Sequence, residues 1–322
     1  MQINNFAKII KLKRKKAWNE DGVASTIGTI MALLVFLTFL GMFTNQVIPT
    51  WMEENENNHM NGVIQQFSFL KWGIDSLILN SDEGEVASAP IYTPMQLHAE
   101  GVPIFASPTV GKLSFVSENP SYPWFSVSFP TDEDAPAGES GNFVFNDTNG
   151  GKAGGSMEFY GANRYYVQQT LAYENGAIIL NQTDGETMLS GMAIRIVKYG
   201  DEQIVKITQI SLTGTNRTIG GYGTKGVTST LEYSAYSKFE NSSGGNLTIS
   251  INSRFGTAWE DYFTNLLSAN STGLTTSEWN VTTSSSQVGY ITYYSVTVII
   301  QGVNIFEHTK AMVAITIADI SV

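Results

Sequence analysis

The sequence predicts a mainly β fold: an antiparallel, sandwich-like ectodomain joined to one long N-terminal α-helix whose first half is transmembrane, α+β overall. Three observations lead there. Residues 23–48 contain no charged side chain. Residues 49–80 carry apolar side chains at helical spacing. Beyond residue 110, short apolar or alternating runs recur about every ten residues, with Gly, Asn and Asp between them.

Residues 1–22 form a basic leader. Lys8, Lys11, Lys13, Arg14, Lys15 and Lys16 account for six of the chain's 18 basic residues. The transmembrane helix, 23–48, follows. Its 19 residues from 26 to 44 would cover roughly 28 Å at ~1.5 Å each, close to the hydrocarbon thickness of a bilayer. Ten of those side chains are Ile, Leu, Val or Phe, and at about −0.5 kcal/mol each they favour insertion by roughly 5 kcal/mol. Cations precede the span, and Glu53, Glu54 and Glu56 follow it. The positive-inside rule then places the N-terminus in the cytoplasm and the C-terminal domain outside, as a single-pass protein of the cell membrane. A removable secretory signal is the alternative. The apolar run is longer than such a signal's core, and residues 45–49 make a poor small-residue cleavage site. Ala24, Gly28 and Ala32 recur every fourth residue. This spacing lets helices approach closely, and small residues are also common in any membrane helix.

Residues 49–80 read as an amphipathic helical extension with a bend at Pro49. Met60, Val63, Ile64, Phe67, Leu70, Ile74, Leu77 and Ile78 form its stripe, with Asn57, Asn61, Gln65, Lys71 and Asp75 largely between them. Such a stripe needs a partner, most simply the domain that follows. Residues 81–322 form the β-rich extracellular domain. Four prolines mark 81–108 as loop. Strands are expected over 113–116, 125–129, 142–145, 156–160, 176–180, 192–199, 203–212, 228–236, 247–251, 290–300 and 312–320. One helix, near 257–267, shares Trp259, Phe263, Leu266 and Leu267 on a face.

Some of these residues carry a resemblance. Lys13-Arg14-Lys15-Lys16, then Asp21-Gly22, then Val23-Ala24-Ser25-Thr26-Ile27-Gly28-Thr29-Ile30 resemble archaeal class III signal peptides and type IV pilin-like proteins. Gln46-Val47-Ile48-Pro49, the helix over 53–79 and the segment from Ser253-Arg254-Phe255 to Trp259, Tyr262 and Phe263 look like a group of archaeal pilin-like surface proteins with long β-rich ectodomains. The resemblance covers the first 80 residues well and the remainder loosely. It implies a prepilin peptidase as a partner, cutting between Gly22 and Val23, and self-assembly through helix-packing residues such as Ala24, Gly28 and Ala32. Acidic Glu20-Asp21 before the cut, and the lack of a glutamate early in the mature helix, depart from the commoner patterns.

The remaining chemistry is sparse. The chain has no cysteine, which excludes disulfides, thiolate metal sites and cysteine nucleophiles. Its net charge is −11. After Gly22, 12 Lys and Arg face 27 Asp and Glu, which argues against nucleic acid as a partner. His59, His98 and His308 are isolated in sequence and read as solvated or capping residues. The acidic turn at 131–134 and the Asx-rich turn at 147–151 are weak calcium candidates. The glycine clusters at 150–156 and 220–226 match no phosphate loop. No catalytic residue, metal or cofactor is expected. Asn-x-Ser/Thr sequons at Asn146, Asn181, Asn216, Asn241, Asn246, Asn270 and Asn280 all fall in the proposed exterior, as in a glycoprotein. The expected function is therefore a non-enzymatic, membrane-anchored, pilin-like surface protein. The alternative is a tethered binding module, an adhesin or a carbohydrate-binding β-sandwich, with Tyr122, Trp124, Tyr165, Tyr166, Tyr293 and Tyr294 available for stacking.

Overall fold

The computed structural model describes residues 20–81, 89–119, 123–130, 142–144 and 152–319. The basic leader through residue 19, the turns at 131–134 and 147–151, Tyr122 and Asn146 lie outside the described residues. The chain divides into two compact units, Met1–Thr50 and Trp51–Val322.

In the first unit, helix α1 runs from Glu20 to Met42 and a π-helical turn follows at Phe43–Val47. Uniform hydrophobicity gives α1 no preferred face, and its large apolar side chains from Ile27 to Phe39 are 54–69% exposed. Its hydroxyls are turned back on the helix: Thr38 donates to the Leu34 carbonyl at 2.7 Å and Thr44 to the Leu40 carbonyl at 2.9 Å. Polar atoms are thereby satisfied without water. Where a bend is expected at Pro49, the backbone forms the π turn just before it. Proline has no N–H for the carbonyl of Asn45 and its ring crowds that oxygen, so the backbone widens by one residue there and stays helical at Ile48.

The second unit contains most of helix α2 (Ile48–Leu79) and the sheets. In chain order the strands are β1 (Ile91–Gln96), β2 (His98–Ala99), β3 (Thr109–Val110), β4 (Lys112–Val116), β5 (Trp124–Pro130), β6 (Asn142–Val144), β7 (Ala153–Gly154), β8 (Ser156–Gly161), β9 (Gln169–Glu174), β10 (Ala177–Gln182), β11 (Gly185–Ser190), β12 (Ile194–Tyr199), β13 (Glu202–Gly214), β14 (Arg217–Gly220) and β15 (Thr224–Ser253). Helix α3 (Gly256–Ser268), β16 (Trp279–Val288) and β17 (Ile291–Asp319) complete the domain. A nine-stranded sheet is ordered β12-β13-β17-β15-β5-β6, with β1 added on β15, β16 on β17 and β7 on β5. A six-stranded sheet is ordered β11-β10-β9-β8-β4-β14, and β2 pairs with β3. The pairings are antiparallel except β13 with β17, which is parallel from Ile204↔Ile305 to Gly214↔Ile315.

Two hydrophobic cores result. The first gathers the α2 stripe (Met60, Val63, Phe67, Leu70, Ile74 and Leu77) against β4, β8, β9 and the later parts of β13 and β17. The second surrounds α3 through Trp259, Phe263 and Leu267. The β9–β10 hairpin divides them. Leu171, Tyr173 and Ile178 face the first core, while Ala172, Ala177 and Ile179 face the second. Its turn, Asn175-Gly176, has φ of +44° and +78°, the left-handed pair that a two-residue hairpin of matching twist requires.

Several strand expectations are corrected. Runs 228–236 and 247–251 belong to one 30-residue strand, β15, bent at register shifts near Leu231/Tyr233 and Glu240/Gly245. Runs 290–300 and 312–320 likewise merge in β17. β1 lies in the segment read as loop. It tolerates Pro94 because it pairs with β15 alone.

Candidate functional site

The structure gathers polar side chains and backbone N–H groups around two buried carboxylates, Glu56 and Glu174. Its most built feature is the seat of α2. Gly73 lies against the Ile91 side chain. Gln66 Oε1 accepts from the Gln96 N–H at 3.0 Å, and the His59 Nε2 lies 3.0 Å from the Gln96 carbonyl. Asn55 Nδ2 donates to the Glu100 carbonyl at 3.1 Å. β1 and the segment after it thus run antiparallel to α2, toward its beginning.

Glu56 locks that seat. It is 0% exposed. Its Oε2 accepts the backbone N–H groups of Tyr165 at 2.8 Å and Tyr166 at 2.7 Å, the Arg164 N–H reaches both oxygens at 3.1 Å, and Thr109 donates its hydroxyl to Oε1 at 2.5 Å. Burial alone would raise its pKa. The Thr109 hydroxyl and the three N–H groups outweigh burial, and the pKa is lowered. Gly161 completes the fit, since a Cβ there would lie 2.5 Å from Met60 Sδ.

A second carboxylate, Glu174, is buried beside α3. Ser253 donates to its Oε2 at 2.6 Å and the Trp259 indole N–H at 3.5 Å. Burial, and after it the nearby Glu158 charge, raise its pKa to about 7 against these hydrogen bonds and the Arg254 charge. Arg254 is paired with Glu158. The adjoining space, lined by Trp124, Gly155 and Trp259, is about 10 Å³, room for about one water. The arrangement can hold a proton.

Of the histidines read as solvated or capping, His59 and His98 are half-buried and only His308 is buried. His59 packs edge-on to Phe159, and burial lowers its pKa. His98 accepts from the Gly223 N–H at 3.0 Å. His308 is buried, 2.8 Å from Gln209 Oε1, and its pKa falls to about 4 through burial and then the Lys310 charge. Among the described residues no cluster of three metal-ligating side chains occurs.

Other predicted positions are dispersed. Gly22 and Val23 fall in the first turn of α1, and Ala24, Gly28 and Ala32 are exposed on it. Asn216, Asn246, Asn270 and Asn280 are exposed and Asn181 is half-buried. Asn241 is a poorer acceptor than its sequon suggests: it is buried, with Nδ2 donating to the Pro130 carbonyl at 3.0 Å. Of the stacking candidates, Tyr165 is exposed, Trp124 carries the Lys152 ammonium 4.2 Å from its ring centroid, and Tyr166 packs on the first core. The reading missed a groove of about 380 Å³ on the outer face of α2, lined by Phe69, Trp72 and Tyr92 with Gln65, Gln66 and Thr93. Phe69 and Trp72 lie off the apolar stripe, which was the available signal.

Residues 137–300 match a family described only as a family of unknown function, DUF7289. The chain belongs to that family. The DUF7289 match takes in α3, most of the second core and the dividing hairpin, and it stops short of α1 and α2. No curated protein and no solved structure matches the chain.

Proposed function

We propose that this is a non-enzymatic, membrane-anchored, pilin-like surface protein whose α1 packs against α1 of other subunits. One observation carries the reading. α1 is long and apolar enough to cross a membrane, and its side chains are exposed all round, while the stripe of α2 is already buried in the domain. A helix of that kind requires lipid or other apolar helices around it. With the leader in the cytoplasm, the β-rich domain is extracellular and the exposed sequons are open to glycosylation. Cleavage by a prepilin peptidase would leave Val23 as the mature N-terminus.

The test is the native particle. Envelope material should contain the chain as a polymer, and Gly28→Leu should disperse it, because nothing lies within 4 Å of a Cβ at Gly28 in the single chain and any clash must come from a neighbour. Unchanged assembly of that variant would remove the helix-packing argument. The tethered binding module is a second reading, favoured by the Phe69, Trp72 and Tyr92 groove, whose aromatic faces and amides suit a sugar. A glycan-array signal that Trp72→Ala abolishes would support it.

A further inference from the structure

The end of the domain at which α2 begins presents an unusual set of exposed side chains. The successive contacts of Gly73 with Ile91, Gln66 and His59 with Gln96, and Asn55 with Glu100 carry the chain toward Trp51, the first residue of this unit. The next segment is a tight loop closed by a Val102↔Ala106 bridge and by the Phe105 and Ala106 N–H groups on the Val102 carbonyl. At its tip stands Ile104, a β-branched residue at φ +72° and 102% exposed. A branched side chain in the left-handed region is strained and persists only where the surroundings impose it. The loop after β8, fixed by Glu56, adds exposed Arg164, Tyr165 and Val167. Trp51 and Phe105 are also exposed here.

We propose that this end of the domain is a bilayer-docking surface that seats Ile104, Tyr165 and Val167 in the headgroup interface. The proposal rests on the membrane-anchor reading. Chain order selects the occupant, because Trp51 directly follows the unit that contains α1. The composition fits as well. Trp and Tyr prefer the membrane–water interface, and short apolar tips embed at the acyl boundary. Exposed Glu53, Glu54 and Glu100 accompany Arg164, so the surface suits zwitterionic headgroups better than strongly anionic ones.

The molecule contains its own control. Tyr290, at the β16–β17 tip, is 103% exposed beside exposed Val288 and Ile291. β15 leaves Gln96 at Thr224 and runs away from the start of α2, and β17 pairs with it from Lys225↔Asp319 to Ser253↔Tyr294. Tyr290 therefore lies at the opposite end, with equal exposure and no membrane adjacent in the chain.

The sequence has no cysteine, so Ile104→Cys, Tyr290→Cys and Phe36→Cys can each carry one nitrobenzoxadiazole label in the full chain. The labelled chains are placed in phosphatidylcholine vesicles containing shallow or deep doxyl lipids. The Phe36 label should be quenched by deep doxyl. The Ile104 label should shift to the blue and lose roughly half its emission to shallow doxyl, and the Tyr290 label should do neither. Val167→Cys, on the other loop, repeats the measurement with the Ile104 turn intact. If both loop labels behave like Tyr290 while Phe36 is quenched, docking is wrong and the anchor stands. If Phe36 is not quenched, the anchor fails and docking with it. Shielding of Ile104 that depends on protein concentration and ignores doxyl lipid would assign the surface to a second copy and overturn the proposal.

Discussion

α1 and α2 follow one another in the chain and differ in how their apolar side chains are satisfied. α2 gathers most of them in a stripe, and Met60, Val63, Phe67, Leu70, Ile74 and Leu77 are buried within the unit they belong to, with Phe69 and Trp72 exposed off it. α1 distributes them around its circumference, and they stay exposed from Ile27 to Phe39. Hydrophobicity alone does not separate a core helix from a membrane helix; its angular distribution does. α2 is therefore a folding element, and α1 contributes only where lipid or another helix surrounds it.

The strongest attempt to break that contrast deletes one phenylalanine from each helix. Phe67→Ala should cost about 3–5 kcal/mol of domain stability, the usual range for a buried aromatic. Phe36→Ala should cost under about 0.5 kcal/mol, as for an exposed site. Urea unfolding of the detergent-solubilised chain, followed by tryptophan fluorescence, reads both. Comparable losses would mean that α1 belongs to the folded domain after all.

The two buried glutamates sharpen the comparison at the level of single groups. Glu174 keeps its proton in the folded state to about pH 7, whereas a carboxyl in the unfolded chain loses it near 4.5. Between these values only the folded state retains the proton, so stability falls as pH rises, by about 3 kcal/mol at most, and is level above. His308 acts oppositely. Its pKa is lowered from 6.5 to about 4, so its contribution is complete above 6.5 and declines as pH falls toward 4. The two slopes oppose each other over the shared window. Glu174→Gln should remove one of them, and the variant's stability relative to the parent should grow by about 3 kcal/mol from pH 4.5 to 7. A constant difference across that range would show that Glu174 titrates normally.

What the sequence reveals follows the same division. The helices were legible because a period of 3.6 survives wherever one side is buried, and residues 257–267 fall within α3, Gly256–Ser268. β9 was not legible. Its Leu171 and Tyr173 enter one core and Ala172 the other, so no polar alternation remains. The Asn175-Gly176 turn was the signal that could have found it. β16 was missed for the opposite reason. Thr282, Thr283, Ser284, Ser285 and Ser286 are all exposed, and pairing with β17 alone makes them a strand. The Glu56 seat depends on Thr109 and on residues 164–166, more than 50 and 100 positions away. Sequence offered only that Met52, Glu56 and Met60 are spaced four apart, which places a carboxylate in phase with an apolar stripe.

That carboxylate allows the subtlest test. α1 contains no charge between residues 24 and 42, whereas α2 buries one and surrounds it with donors. Glu56→Gln keeps the size but turns an amide NH₂ toward N–H groups that need an acceptor. The cost should be about 2 kcal/mol, the range for a buried hydrogen bond to a charged group. The sign with pH is fixed by the lowered pKa. Above the ordinary carboxylate value of 4.5 the contribution is complete, and it is lost as pH falls through the folded-state value, because the unfolded chain takes up the proton first. Glu278, lowered to about 2 by the Lys198 hydrogen bond and then by the Thr275 N–H, titrates in the same acid window, so the difference between parent and variant isolates Glu56. That difference should shrink below pH 4.5 and stay constant above it. It should also leave the quenching of a Phe36 label by deep doxyl lipid unchanged, since that signal reports on the surroundings of α1 and not on the seat of α2.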